Sequence, residues 1–495
     1  MSYSAILIRN IILTSIEFSQ NNGNTYVNET DLFNMCKKRL SMLTCNEFLE
    51  ETNYLVRCKD IFKADDKYYL YQTFEDEATV ASYLADLLND NKLETIDPDY
   101  STYCKLPLCE EQLLAIDIVY KNRLSLITGG PGTGKTTLIS AIIEANEFNN
   151  YILCSPTGKA ARNLASKTGY ETMTIHSALL WKRWDKAELL IIDEAGMVNL
   201  SLLAKILSRL NGDCRVVLLG DEKQLEAVGC GNVIGDLKAL GIPHVHLVVN
   251  HRQDATAKGL SYNIRHFEAA RTLKDLMFDK SFSIKEGSEA ETVHALTNYA
   301  VEAYREGRDF QVITPRKNIV PLSATKLNIM IRNKLYPKLT DNKSIIIRDK
   351  RYYDGDRVII TKNDMNKGVC NGDIGNIRIK KSGEWYIELL TGQIVYWDRY
   401  EPKPHLELGY AITVHKAQGS EYDEVAMPIV ESLETMLTRN LLFTAISRPR
   451  LKCTLFGRKD ELEVALNKTK KMRKSNLPEL TNMLVDYYNE QARLA

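Results

Sequence analysis

Residues 124–137 read Leu-Ser-Leu-Ile-Thr-Gly-Gly-Pro-Gly-Thr-Gly-Lys-Thr-Thr, and this stretch decides the fold. An apolar run of strand type leads into a glycine-rich loop, and the loop into a segment of helical pattern at 137–143. The loop fits GxxxxGK[ST], and its strand–loop–helix setting marks a phosphate cradle. Gly130, Gly132 and Gly134, with Pro131 and Thr133 between them, let backbone N–H groups turn inward around phosphate oxygens. The helix that follows adds the positive end of its dipole. Lys135 is expected to neutralise the β- and γ-phosphates of ATP and Thr136 to ligate Mg²⁺, with Thr137 completing the ATP-binding set.

Working outward, 189–192 is an apolar run that ends in Asp193-Glu194. Beside a phosphate cradle, Asp193 is expected to hold Mg²⁺ through its water shell and Glu194 to polarise the attacking water. Short apolar runs at 124–128, 151–154, 189–192 and 216–219 alternate with helical segments, and each ends in Gly, Ser-Pro or Asp. That is the pattern of buried parallel strands with crossover helices, an α/β fold whose ligands sit at the carboxyl ends of the strands. A second set, at 245–249, 311–314, 425–429 and 453–456, predicts a second α/β half. Between them, 351–397 is rich in aromatic and β-branched residues with Gly-Asp and Ser-Gly turns, which predicts a small all-β insertion. Upstream, 67–71 reads as a strand, 78–88 as an amphipathic helix and 89–105 as a polar linker. The basic run 468–474 has two open readings, a solvated helix face or a nucleic-acid backbone contact.

A length of 495 residues predicts three or four domains, and 44% hydrophobic residues is ample for their cores. Lys+Arg and Asp+Glu are both 64, so any nucleic-acid surface must be a local groove rather than a whole basic face. Ten cysteines without a CxxC pair read as reduced thiols rather than a metal cluster. The apolar N-terminal run is split by Arg9 and Asn10, and no run approaches the length of a membrane span. The expectation is a soluble, intracellular, cytoplasmic protein with no membrane partner.

The ordered series of motifs resembles superfamily 1 helicases, and within them the RecD-like branch. Leu106-Pro-Leu-Cys-Glu-Glu-Gln112 looks like the adenine-reading motif, with Gln112 on the base edge. Ser155-Pro156-Thr157-Gly-Lys159-Ala-Ala161 and Thr174-Ile-His176 are similar to motifs that touch the nucleic-acid strand. Leu219-Gly-Asp-Glu-Lys-Gln224-Leu225 resembles the motif whose glutamine senses the γ-phosphate. Asn250-His251-Arg252-Gln253 resembles a motif that supplies an arginine to the phosphates, with His251 where the family often has an aromatic stacked on adenine. The stretch 411–421, containing Thr413, His415, Lys416, Gly419 and Glu421, and the stretch 437–448, ending in the arginine finger Arg448, look like the last two motifs of the set.

The resemblance implies two tandem RecA-like P-loop domains that hydrolyse ATP between them while gripping single-stranded DNA and moving 5′→3′ along it. Lys135, Asp193, Glu194, Gln224, Arg252 and Arg448 would be catalytic. Gln112, His251, Gly419 and Glu421 would join the loop in binding ATP. Pro156, Thr157, Lys159, His176, Thr413, His415 and Lys416 would contact the strand, against a capping or core role for the two histidines. ATP and Mg²⁺ are the implied cofactors, and single-stranded DNA, with duplex junctions, the implied partner. Domains are expected at 1–105 (N-terminal accessory), 106–245 (first motor), 246–345 with 405–470 (second motor), 346–404 (small β-barrel insertion) and 471–495 (C-terminal tail). The family's β-hairpin pin is reduced here to 177–187, where Trp181 and Trp184 form either a stub wedge or sheet packing. An RNA-directed superfamily 1 helicase and a non-catalytic ATP- or nucleic-acid-binding scaffold subunit remain alternatives, since no residue here reads a 2′-hydroxyl. The compact size suggests a virus- or plasmid-type minimal helicase, and protein partners are not specified.

Overall fold

The computed structural model describes residues 3–89, 108–145, 150–180, 184–210, 214–250, 257–337, 343–398, 401–469 and 471–494. The expected linker at 89–105 lies almost wholly outside the described residues.

The first lobe is built on a six-stranded, all-parallel sheet. Its order is Met173–Thr174, Tyr151–Ser155, Leu189–Ile192, Arg215–Gly220, Leu124–Gly129, His244–Leu247. Alternate residues of each strand point to opposite faces, so the sheet carries two separate cores. Leu124, Leu126, Leu190, Ile192, Val216 and Leu218 face one cluster, and Ile127, Leu189, Ile191, Val217 and Leu219 face the other. Both faces are therefore apolar, which is why these strands read as continuous hydrophobic runs. The strand His244–Leu247 pairs with the loop-bearing strand, so this lobe runs past the expected boundary at 245.

The second lobe has a five-stranded parallel sheet in the order Phe282–Glu286, Pro449–Gly457, Tyr422–Ile429, Phe310–Thr314, Ala411–Thr413. Between its second and third strands in the chain sits the β insertion, an antiparallel five-stranded sheet with an adjoining hairpin, Ser344–Ile347 and Lys350–Tyr353. Trp385 and Trp397 stack in its core with ring centroids 5.6 Å apart. Its strand Leu406–Leu408 pairs with Arg357–Ile360 beyond the expected end at 404.

The N-terminal unit packs helices Ala5–Asn21, Glu29–Arg39 and Cys45–Arg57 on a small antiparallel sheet. The helix Tyr71–Asn89 does not belong to that core. Val80, Ala81, Leu84 and Leu87 are buried with Leu190, Leu203 and Ile206 of the first lobe. Nor is 471–494 a free tail. Leu477 is fully buried in the same core, and the helix Leu477–Leu494 lies against Tyr71–Asn89. The described residues of the basic run at 468–474 form no helix, so the run is not a solvated helix face. Arg473 is buried and donates to the carbonyls of Ala227, Gly229 and Gly231, while Lys474 pairs with Asp31 at 2.8 Å. Arg473 and Lys474 thereby form a strap that ties the chain's last segment to the first lobe and to the N-terminal unit.

Candidate functional site

The fully buried strand Leu124–Gly129 ends in the glycine loop, and Lys135 opens the helix Lys135–Ala145. Gly132 and Gly134 adopt φ of 82° and 79°, a left-handed conformation that keeps the loop open for backbone N–H groups to converge. Lys135 Nζ folds over the loop and donates to Gly129 O (2.6 Å) and Gly130 O (2.9 Å). Thr133 Oγ1 donates to Gly130 O (2.9 Å) and braces the turn.

A cleft of about 370 Å³ opens here. From the first lobe it is lined by Pro131 through Thr136, Asn163, Lys167, Asp193, Glu194 and Gln224. From the second lobe come Gly419, Glu421, Ser447 and Arg448. Asp193 follows a buried strand, and loss of water around it together with the adjacent Glu194 raises its pKa, against the pull of Lys135. Glu194 stands at φ 56°, ψ 39°, a left-handed backbone that a residue with a Cβ adopts at a cost. That kink follows directly on the strand end and lets both neighbouring carboxylates line one cleft.

The two lobes meet at this cleft through buried polar contacts. Gln224 Nε2 donates to Asp221 Oδ2 (3.1 Å), which leaves its Oε1 to accept from Arg448 Nη2 of the other lobe (2.9 Å). Arg448 also donates to Thr444 O and Ser447 Oγ, and it is only 5% exposed. Burial lowers its pKa, opposed by Glu194, Asp221 and Glu421. The next residue, Leu225, is a plug. Its side chain belongs to the second lobe's hydrophobic core, its N–H donates to Thr444 Oγ1 (2.8 Å) and its carbonyl accepts from Gln418 Nε2 (3.1 Å). Asn163 Nδ2 donates to Gly419 O (3.0 Å) along the same seam.

Of the remaining expected residues, Gln112 is buried and its Oε1 accepts from Cys109 N (3.1 Å), capping its own helix; it does not line the cleft. Thr137 lies in the helix behind the loop, also off the lining. Asn250 Nδ2 donates to Pro131 O (3.2 Å), but His251, Arg252 and Gln253 lie outside the described residues.

The residues expected to touch a strand divide between the lobes. Thr157 caps the helix Gly158–Thr168 by accepting from Ala160 N, and Thr413 caps Val414–Ala417 by accepting from Lys416 N. Lys159 Nζ lies 5.0 Å from the centroid of the Tyr422 ring, and Lys416 pairs with Glu407 at 2.7 Å. His176 is exposed and His415 half-buried, while Pro156 sits at the turn between strand and helix. A Cβ at Gly158 would meet Cys370 of the barrel at 2.5 Å, and Arg162 pairs with Asp373 beside it, so the barrel leans directly on this helix. Among the described residues of 177–187 there is a helix end and one short turn, with no hairpin. Trp184 is core, with its indole N–H donated to Ala178 O (2.6 Å); Trp181 lies outside the described residues. Sequence reasoning missed the Leu225 plug and the Arg162–Asp373 contact, because neither has a local signature. No helix among the described residues is long and apolar enough to cross a membrane.

Two parallel-sheet lobes, a glycine loop with its lysine on one and an arginine reaching the same cleft from the other, define a tandem RecA-like P-loop fold. Comparison with known proteins gives the branch. Residues 107–289 match the AAA domain family, 327–387 the SH3 domain of ATP-dependent RecD-like DNA helicases and 408–456 the UvrD-like helicase C-terminal domain. The chain is 32% identical over 385 residues to the ATP-dependent RecD2 DNA helicase of Deinococcus radiodurans, covering 75% of this chain and 52% of that protein. It is 25% identical to the RecBCD enzyme subunit RecD of Haemophilus influenzae, covering 83% of this chain and 80% of the relative. A solved structure of Bacteroides Pif1 helicase in complex with ADP-AlF3 and ssDNA aligns with a TM-score of 0.46 at 19% identity, over 79% of this chain and 98% of that one. The chain is thus similar to RecD-like DNA helicases over three quarters of its length. It spans only about half the length of the Deinococcus relative.

Proposed function

We propose that this protein is an ATP-dependent DNA helicase or translocase that moves 5′→3′ along single-stranded DNA. The observation that carries the reading is the Arg448–Gln224 hydrogen bond, which joins the two lobes inside the cleft that holds the glycine loop. A γ-phosphate held by Lys135 in that cleft would face Arg448, which lines it from the other lobe and whose planar fork suits phosphate oxygens. Nucleotide turnover then alters a contact that spans the lobes, and lobe movement follows.

Thr136, Asp193 and Glu194 present hard oxygen donors to one cleft, and that set fits Mg²⁺. The ion would shield phosphate charge. Glu194 would orient the attacking water, and Gln224 would report the state of the γ-phosphate to Leu225 and the second lobe. Thr157, Lys159 and His176 on one lobe and Thr413, His415 and Lys416 on the other are the proposed strand contacts. DNA is favoured over RNA, and 5′→3′ over the reverse, by the DNA helicases that the chain resembles.

Purified protein should hydrolyse ATP slowly alone and at least about tenfold faster with single-stranded DNA, an effect of the size expected from assembling a catalytic arginine and sensor. Stimulation by RNA alone turns the reading to an RNA-directed enzyme. An equal rate with and without oligonucleotide sinks the motor and favours a scaffold. Duplexes with a 5′ or a 3′ overhang read polarity, and unwinding only from the 5′ overhang is expected.

A further inference from the structure

On the second lobe a pocket of about 380 Å³ opens between the helix Ala324–Leu335, the hairpin at 344–353 and the strands Leu406–Leu408 and Ala411–Thr413. Five cations line it, Lys317, Arg332, Lys350, Arg351 and Lys416, against one carboxylate, Glu407. That carboxylate is held between two ammonium groups, with Lys317 Nζ and Lys416 Nζ each 2.7 Å away. Both lysines hold the Glu407 pKa down to about 2, although its partial burial acts the other way. The floor is apolar, from Ile359, Leu408 and Ile412. Buried Arg332 Nε has no hydrogen-bond partner, so the cationic wall carries unused donor capacity.

We propose that this pocket is a phosphodiester subsite of the single-stranded DNA path, and that Glu407 is its resident stand-in anion, displaced from Lys317 and Lys416 by a backbone phosphate. The proposal rests on the strand-binding reading above, since Thr413 and Lys416 belong to the same pocket. The physical case is charge conservation. A carboxylate and a phosphodiester each carry one negative charge, and each accepts from two ammonium groups. Exchange of one for the other returns most of what breaking the two ion pairs costs. A subsite built this way binds weakly enough to let go at every step, which a surface that tracks along a strand needs. Without Glu407, Lys317 and Lys416 would stand uncompensated and grip a phosphate longer. With it, the pocket keeps a paired geometry between occupants, so the lysines need no reordering when a phosphate arrives.

The test compares wild type, Glu407→Gln and Lys317→Gln for binding of a fluorescent dT20 oligomer across a salt series, with thymidine monophosphate as a second ligand. Glu407→Gln should bind dT20 about threefold tighter or more at low salt. Its log-affinity should fall more steeply with log salt, by about 0.7, the increment for one further phosphate contact on a single strand. Lys317→Gln should weaken dT20 binding and flatten the slope by a similar amount, which keeps the proposal testable if Glu407→Gln folds poorly. Unchanged affinity and slope in Glu407→Gln, with wild type binding dT20 normally, overturn the subsite and leave the motor reading intact. Weaker binding by folded Glu407→Gln also overturns it, because Glu407 is then only a brace for the lysines. An effect confined to thymidine monophosphate assigns the pocket to a free nucleotide and overturns it too. Failure of wild type to bind dT20 removes both readings together.

Discussion

Arg448 is buried to 5% exposure and makes each of its hydrogen bonds with a fixed partner, two of them backbone or side-chain oxygens of its own helix end and one Gln224 across the seam. A guanidinium held this way is aimed before any ligand arrives. Lysine keeps the charge but not the planar fork that engages these oxygens together. Arg448→Lys should therefore retain nucleotide binding yet lose about 100-fold or more in strand-stimulated turnover, as removal of one charge-stabilising donor does elsewhere. Steady-state ATPase rates with a fluorescent-nucleotide binding control measure it, and a mutant with both intact would refute the assigned role. At this scale much was legible in advance. Lys135, Asp193 and Glu194 announce themselves through a loop pattern and a strand that ends in acid, both local in sequence. The left-handed backbone of Glu194 was not legible, because nothing in a Leu-Leu-Ile-Ile-Asp-Glu run encodes a kink that the surrounding packing imposes.

At the level of elements, the segment after Arg215–Gly220 does more than carry a sensor. Gln224 lies in the nucleotide cleft while Leu225, its neighbour, is packed in the second lobe's core. Adjacent side chains so placed must move together, so a change at the phosphates is felt as a push or pull on the other lobe. Truncating the plug to alanine removes buried apolar surface at a cost of about 2 kcal/mol or more. Leu225→Ala should keep its basal ATP hydrolysis within a few-fold of wild type but lose most of the stimulation by single-stranded DNA. A stimulation factor equal to wild type would mean the plug is passive. The parallel strands were readable from apolar runs that alternate with helical segments, since each strand is local, whereas their order in the sheet was not. The plug was not, because it depends on contacts between residues 225, 418 and 444, and spacing along the chain carries no trace of them. The division into units failed at its edges for the same reason. The helix at 71–89 has an amphipathic pattern that fits either neighbour, and only the three-dimensional core shows which one it joins.

Across the whole molecule, two buried carboxyl groups sit where the N-terminal part, the first lobe and the returning strap converge. Glu77 is fully buried and accepts from Ser475 Oγ (3.2 Å) and Asn476 N (3.0 Å). Glu77 Oε2 and Asp236 Oδ2 have no hydrogen-bond partner. Burial, with the Glu77 charge added, pushes Asp236 up to about 7, and burial raises Glu77 as well. An unfolded aspartate titrates near about 3.9, so between about pH 4 and 7 the folded chain holds a proton that the unfolded chain has released. The stability this confers is complete at the acidic end and is lost as pH rises through 7. Asp236→Asn escapes that loss. It should unfold about 2–4 °C higher than wild type at pH 8, with little difference at pH 5. Calorimetric scans at the two pH values check this, and parallel pH dependence in both proteins would rule the carboxyl pair out as its source.

The same strap has a mechanical meaning. The chain leaves the first lobe after Asn250, which is fastened to Pro131, and comes back by Arg473, which is fastened to three carbonyls of the 227–231 loop. With the contacts across the cleft and the barrel released, everything between, the second lobe with its barrel, is slung from those two moorings. A body hung from a single cord can tumble in any direction, whereas one hung from two swings chiefly about the line that joins them. The separation of the halves is thereby reduced to something near a door on a pair of hinges, and the arc of that door is set by where the moorings sit rather than by the length of either cord.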